Sequence, residues 1–154
     1  VELLSNYIAD TWEDDTLYIV GTGSTIAAIM KRLGLQNTLL GVDLVYGGAV
    51  IASDCTEQEI LRTMENYDKV RILVTVIGGQ GYIFGRGNQQ ISASIIKKVG
   101  RENIIVAASK NKMLSLFGKS LYVDTGDEEV NQALAGYIRV IVGYGESVMA
   151  KVSA

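Results

Sequence analysis

Two glycine-rich stretches hold the residue types best suited to chemistry. Val20-Gly21-Thr22-Gly23-Ser24-Thr25 follows a short apolar run and precedes a helical pattern. Gly21 and Gly23 let the backbone approach a ligand closely, the opening amides and dipole of the helix favour an anion, and the hydroxyls of Ser24 and Thr25 add donors. A phosphate is the natural guest. The same residues also suit a tight strand-to-helix turn with an ordinary serine cap. The second stretch, Ile77 to Gln90, packs five glycines, one Arg, one Asn and three Gln into fourteen residues. Ordering so many glycines costs entropy that a mere connector does not need. Arg86 suits a bidentate phosphate clamp, with Gly85 and Gly87 leaving room around it. Asn88 and Gln89 offer donors and acceptors to a ribose, an amide or a base edge. Gly78, Gly79, Gln80 and Gly81 open the stretch with exposed backbone. The competing role is a mobile or subunit-contact loop.

Two carboxylates stand out beside them. Asp43 interrupts an apolar run, where it could hold a ribose hydroxyl or a metal, or face solvent on an edge strand. Asp124 ends a strand-like segment and is the better functional candidate of its pair, because Asp127 reads as the cap of the next helix. The first stretch lacks the lysine of the Gly-x-x-x-x-Gly-Lys loop and the third glycine of a dinucleotide fingerprint.

The elements that must position these residues alternate along the chain. Helical spacing covers residues 2–12, a strand is expected over 17–20, and Ser24 as N-cap opens a helix that Gly34 ends. Leu39–Val45 and Ala49–Ala52 read as a hairpin around Gly47-Gly48. Thr56 and Glu59 form a capping box before Ile60, Leu61 and Met64. Val70–Ile77 is apolar on both faces and suits the centre of a parallel sheet. A helix capped by Ser92, a strand over 104–108, a helix over 110–117, a strand over 121–123 and a helix capped by Asp127 follow. Tyr137–Val142 and Ser147–Val152 form a closing hairpin. The expectation is one α/β domain over residues 1–154, a three-layer α/β/α sandwich with a mainly parallel sheet and antiparallel hairpins at the edges.

Composition removes several classes of chemistry. The chain has no histidine, which excludes a Ser-His-Asp triad, imidazole acid–base catalysis and most zinc sites. Carboxylate-bound magnesium stays open, since it needs few protein ligands and favours substrate phosphates. The single cysteine, Cys55, excludes an internal disulfide and fits a reducing, cytoplasmic setting. A net charge of −3 without basic–aromatic runs argues against a nucleic-acid partner. No apolar run is long enough to span a membrane.

The order Gly21-Thr22-Gly23-Ser24-Thr25, Thr38 to Asp43, Ile77 to Gly81, Phe84 to Gln90, Val99 to Val106, Val123 to Asp127 and Gly136 to Ile141 resembles the C-terminal part of the predicted polyphosphate- or ATP-dependent NAD kinases. That branch includes proteins of acetoin-catabolism clusters. The resemblance implies phosphoryl transfer from ATP or polyphosphate to NAD, giving NADP, with Mg in the complete protein. It also implies a missing N-terminal half, because the family's Gly-Gly-Asp-Gly motif with its catalytic Asp does not occur here. Gly47-Gly48 is followed by Ala49, and Gly78-Gly79 by Gln80. The expected partners are a nucleotide or phosphate-bearing small molecule, that missing half, and further copies in a homo-oligomer. The alternative is a non-catalytic sugar-phosphate- or nucleotide-sensing or assembly domain, because the first loop also resembles that of ribose-5-phosphate isomerases and sugar-phosphate-sensing repressors.

Overall fold

The apolar runs of this chain are too short for helices and too uniformly apolar for half-exposed strands, so they bury themselves on both faces of a sheet. The computed structural model describes residues 1–154. It places helix α1 at Glu2–Asp10, strand β1 at Leu17–Val20, α2 at Ser24–Arg32, β2 at Asp43–Tyr46, β3 at Ala49–Ala52, α3 at Glu57–Met64 and β4 at Val70–Thr75. After these come β5 at Tyr82–Phe84, α4 at Ala93–Val99, β6 at Ile104–Ala107 and α5 at Lys110–Ser115. The last elements are β7 at Leu121–Val123, α6 at Glu128–Leu134, β8 at Gly136–Gly143 and β9 at Glu146–Ser153.

All nine strands form one sheet in the order β3-β2-β1-β4-β6-β8-β9-β7-β5. The strands β1, β4, β6 and β8 run parallel, and so do β9, β7 and β5. Alternate side chains of each parallel strand go to opposite cores. Tyr18, Val20, Leu73 and Ala107 pack under α1 and α2, against Leu4, Ile8, Ile26, Ile29 and Met30. Ile19, Ile72, Val74, Val106 and Val140 pack with Ile60 of α3, Ile95 and Ile96 of α4 and Val130 of α6. Ile72, Leu73 and Val74 are wholly buried, and each contributes about 1.5–3 kcal/mol of transfer free energy. The three-layer α/β sandwich with a mainly parallel sheet is therefore the observed fold.

Three details differ from the sequence reading. The β2–β3 hairpin lies at a sheet edge, but the β8–β9 hairpin joins the two parallel groups, because β9 uses its second edge to pair with β7. A hairpin signal identifies which strands pair and is silent about the free edges. Strand β2 begins at Asp43 rather than Leu39, since the Asp43 carboxylate takes the amide of Thr38 and bends the chain there. Strand β5 lies inside what reads as a continuous loop, its three residues pairing with β7.

The helix ends follow the local code more closely. Thr56 and Glu59 close the capping box with bonds of 3.2 and 3.0 Å. Ser92 caps α4 and Asp127 caps α6, each accepting the amide three residues on. At the other end of α2, Leu35 donates to Met30 and Gly34 to Lys31, a Schellman ending with Gly34 at φ +73°.

Candidate functional site

The two glycine-rich stretches meet. Gly21–Ser24 leaves the carboxyl end of β1, and the second stretch leaves the carboxyl end of the neighbouring β4. In an open α/β sheet this is the edge where ligands bind. The Thr22 hydroxyl donates to the Gly87 carbonyl at 3.1 Å, across 65 residues of sequence. Ile77 packs close to Gly87 as well, its Cδ1 lying 3.8 Å from where a Cβ on that glycine would be.

The first loop is held against β4. The Gly21 amide donates to the Leu73 carbonyl at 2.9 Å. A Cβ on Gly23 would come within 2.9 Å of the Thr75 methyl, and Gly23 has φ +115°. That glycine occupies the N-cap of α2, and no side chain caps the helix. Ser24 is thus the first helical residue rather than the cap, because only glycine readily takes the backbone angle that turns strand into helix here. Ser24 stays exposed and Thr25 half-exposed, beside helix amides that no capping side chain takes up.

The second loop folds around β5. Ile77 and Tyr82 exchange backbone bonds of 2.7 and 2.9 Å, which closes Gly78–Gly81 into a turn. Gly78 and Gly79 have open space around them and are exposed with Gln80. Gly81 is different: a Cβ there would lie 3.1 Å from both Leu116 and Leu121, so this glycine serves packing. Asn88 is fully buried, accepting from the Gly85 amide at 3.2 Å and donating to the Ile83 carbonyl at 3.0 Å. Its amide orders the loop. Gly85 has φ +94°, and a Cβ on it would run into the Asp124 carbonyl. Asp124 donates its amide to Phe84 at 3.0 Å and is itself exposed. Arg86, exposed like Gln89, stacks its guanidinium 4.4 Å over the Tyr82 ring. Beside this turn, Gly79, Gln80, Tyr82, Lys119 and Tyr122 line a polar hollow of about 530 Å³.

Asp43 does not face solvent; it pairs with Val20 at the end of β1. It is buried, and its oxygens accept the amides of Thr38 and, at 2.9 Å, Asp54. Its charge also bears on Cys55, whose thiol burial pushes up to about 11, with Glu59, Asp43 and Asp54 adding to the effect. A thiol held that high stays protonated near neutrality, so Cys55 is no nucleophile. No three carboxylates or thiols converge on a point where they would hold a metal ion.

Sequence reasoning overlooked two residues at this junction. Thr22 is the tie between the loops, and Lys112 of α5 places its ammonium 2.7 Å from the Gly78 carbonyl. Thr22 lay within the motif, while Lys112 carried no local signal at all.

A strand-to-helix glycine turn tied to a second glycine-rich loop at the carboxyl edge of a mainly parallel sheet defines an α/β domain with exposed backbone where such folds take ligands. The chain belongs to the ATP-NAD kinase C-terminal domain family, whose model matches residues 13–152. It is an NAD-kinase-like domain, of a family that uses ATP and NAD. Comparison with curated proteins and with solved structures returned no match. No helix is long and apolar enough to cross a membrane.

Proposed function

We propose that this chain supplies the nucleotide- and phosphate-binding side of an NAD-kinase-like transferase. The reaction is transfer of a phosphoryl group from ATP or polyphosphate to the adenosine-ribose 2′-hydroxyl of NAD, giving NADP. Phosphoryl transfer depends chiefly on positioning and on neutralising charge, which backbone amides and cations supply without acid–base residues. A chain without histidine can do both.

The observation that carries the reading is the Thr22–Gly87 hydrogen bond. It brings the uncapped start of α2 beside Gly87 of the second loop, and on this reading Gly21, Gly23, Ser24, Thr25, Gly78, Gly79 and Gln80 all contribute to binding an anion. Gly85, Gly87 and Gln89 border this cradle, and Asp124 lies against the Gly85 backbone. The catalytic Asp of the Gly-Gly-Asp-Gly motif comes from a part of the enzyme outside this chain. The assembled enzyme is a homo-oligomer.

Thermal shift of the intact protein against ATP, polyphosphate, NAD and NADP tests this, with ribose 5-phosphate as the control. Stabilisation of several degrees by the nucleotides or polyphosphate is expected, by simple linkage of binding to folding. Absence of any shift at millimolar ligand would sink the reading. Protection by ribose 5-phosphate alone would replace it with sugar-phosphate sensing.

A further inference from the structure

The cradle needs a positive charge, and Arg86, the residue whose chemistry suggests it, is engaged elsewhere. Its guanidinium lies over Tyr82, whose ring in turn packs against Tyr122 on β7 with centroids 5.6 Å apart. Cation–π stacking of this kind holds an arginine to an aromatic face. Arg86 is exposed, and Tyr82 holds it on the β5–β7 side of the loop.

Lys112 has the opposite character. It is half-buried, and its backbone is held on both sides: its amide donates to the Ser109 hydroxyl at 3.1 Å, and its carbonyl accepts from Ser115 at 2.6 Å. Its ammonium donates to the Gly78 carbonyl at 2.7 Å. An ammonium has three N–H donors, so two are left for a ligand. No carboxylate lies within ion-pairing distance of Lys112, whereas Lys110, two residues away, is neutralised by Glu146 at 2.9 Å. Lys112 reaches the second loop at Gly78, and Thr22 ties the first loop to Gly87 further along that same stretch. The lysine therefore stands beside the exposed backbone of the Gly78–Gly79 turn. In a protein of net charge −3, an uncompensated, pre-positioned cation beside a glycine turn is a site for an anion.

We propose that Lys112, rather than Arg86, is the cation that binds the phosphate of the ligand in the loop cradle, a role that rests on the proposed function above. Gly78 holds the ammonium in place when no ligand is bound. A bound phosphate then takes the two remaining N–H donors together with the backbone amides of the turn. The interaction is charge-assisted, so it outweighs any single neutral contact in the cradle.

The test is calorimetric titration of the intact protein with tripolyphosphate and with ATP, comparing wild type, Lys112→Gln, Lys112→Arg and Arg86→Gln. Lys112→Gln is expected to weaken both probes about tenfold or more, on the scale of one charged hydrogen bond. Lys112→Arg recovers most of the affinity, and Arg86→Gln stays within about twofold of wild type. Melting temperatures without ligand are read alongside. If Lys112→Gln loses affinity only in proportion to a lowered melting temperature, and Lys112→Arg does the same, the lysine merely tethers Gly78 and the proposal fails. Wild-type binding with an unaffected Lys112→Gln, or with the larger loss in Arg86→Gln, overturns this inference and leaves the proposed function standing. If wild type binds neither probe, both readings fall together.

Discussion

The two glycine-rich loops look alike in composition and use their glycines for different reasons. In the first, Gly21 and Gly23 lie against β4, where Val74 and Thr75 leave no room for a side chain. In the second, a Cβ on Gly78 or Gly79 would meet nothing within 4 Å, while one on Gly85 would collide with the Asp124 backbone. The first loop is thus held by packing against β4, and the second by the Ile77–Tyr82 bonds, Gly81, Gly85 and Asn88, with Gly78 and Gly79 left open between them. A run of glycines thus mixes positions that packing requires with positions that stay open, and neighbouring atoms distinguish them. The Thr22–Gly87 bond ties the packed first loop to the second.

The sharpest way to break the comparison is at Gly85. Alanine there combines a left-handed backbone with a backbone collision, at a cost of about 3 kcal/mol or more. Gly85→Ala should therefore unfold at much lower denaturant, or fail to accumulate folded. A midpoint close to wild type would show that the loop yields freely. Asn88→Ala ranks next. It strands the Gly85 amide and the Ile83 carbonyl in the interior, a loss of about 2–3 kcal/mol in urea denaturation.

Thr22→Val separates the two loops while keeping the volume of the side chain. The expected loss of stability is about 1 kcal/mol, the net worth of one hydrogen bond. Affinity for ATP should fall by more than that stability change explains, and parallel losses would show that the bond matters to folding alone. Gly79→Ala sharpens the contrast from the other side. With a free surrounding and no positive φ, it should alter stability by less than about 0.5 kcal/mol. Nucleotide binding should still weaken, because a methyl group keeps the ligand from the backbone; unchanged binding would remove Gly79 from the cradle.

The smallest effect lies outside both loops. The Glu59 carboxyl titrates below the ordinary carboxylate range because it accepts the Thr56 amide. Its ionised form therefore stabilises the fold at pH above that ordinary range, and the contribution is lost as the pH falls through the lowered value. The gap in melting temperature between wild type and Glu59→Gln should be present at neutral pH and close below pH ~4. A gap independent of pH would mean that charge is irrelevant to this cap.

Much of this was legible along the chain because its causes are local. Capping by Thr56, Ser92 and Asp127 depends on a hydroxyl or carboxylate three residues from an amide. The strands β1, β4 and β6 announce themselves by being apolar on both faces. Strand β5 did not, since three residues among glycines carry no periodicity, and their pairing with β7 is settled nearly forty residues later in the chain. Asp43 and Asn88 invited ligand roles because polarity in an apolar setting signals either function or a satisfied interior group. Only the positions of the Thr38, Asp54 and Gly85 amides decide between those two.

By itself, then, the sequence determined the layered α/β architecture, the absence of imidazole chemistry, the family resemblance and the two loops as the place to look. Residue type, spacing and periodicity act within a few positions, and these conclusions need no more. The tertiary structure alone decided that Thr22 reaches Gly87, that Arg86 lies on Tyr82, and that Lys112 comes to Gly78. Those contacts depend on which strands are neighbours in the sheet. Chain connectivity leaves that choice open until burial of both faces selects a single order.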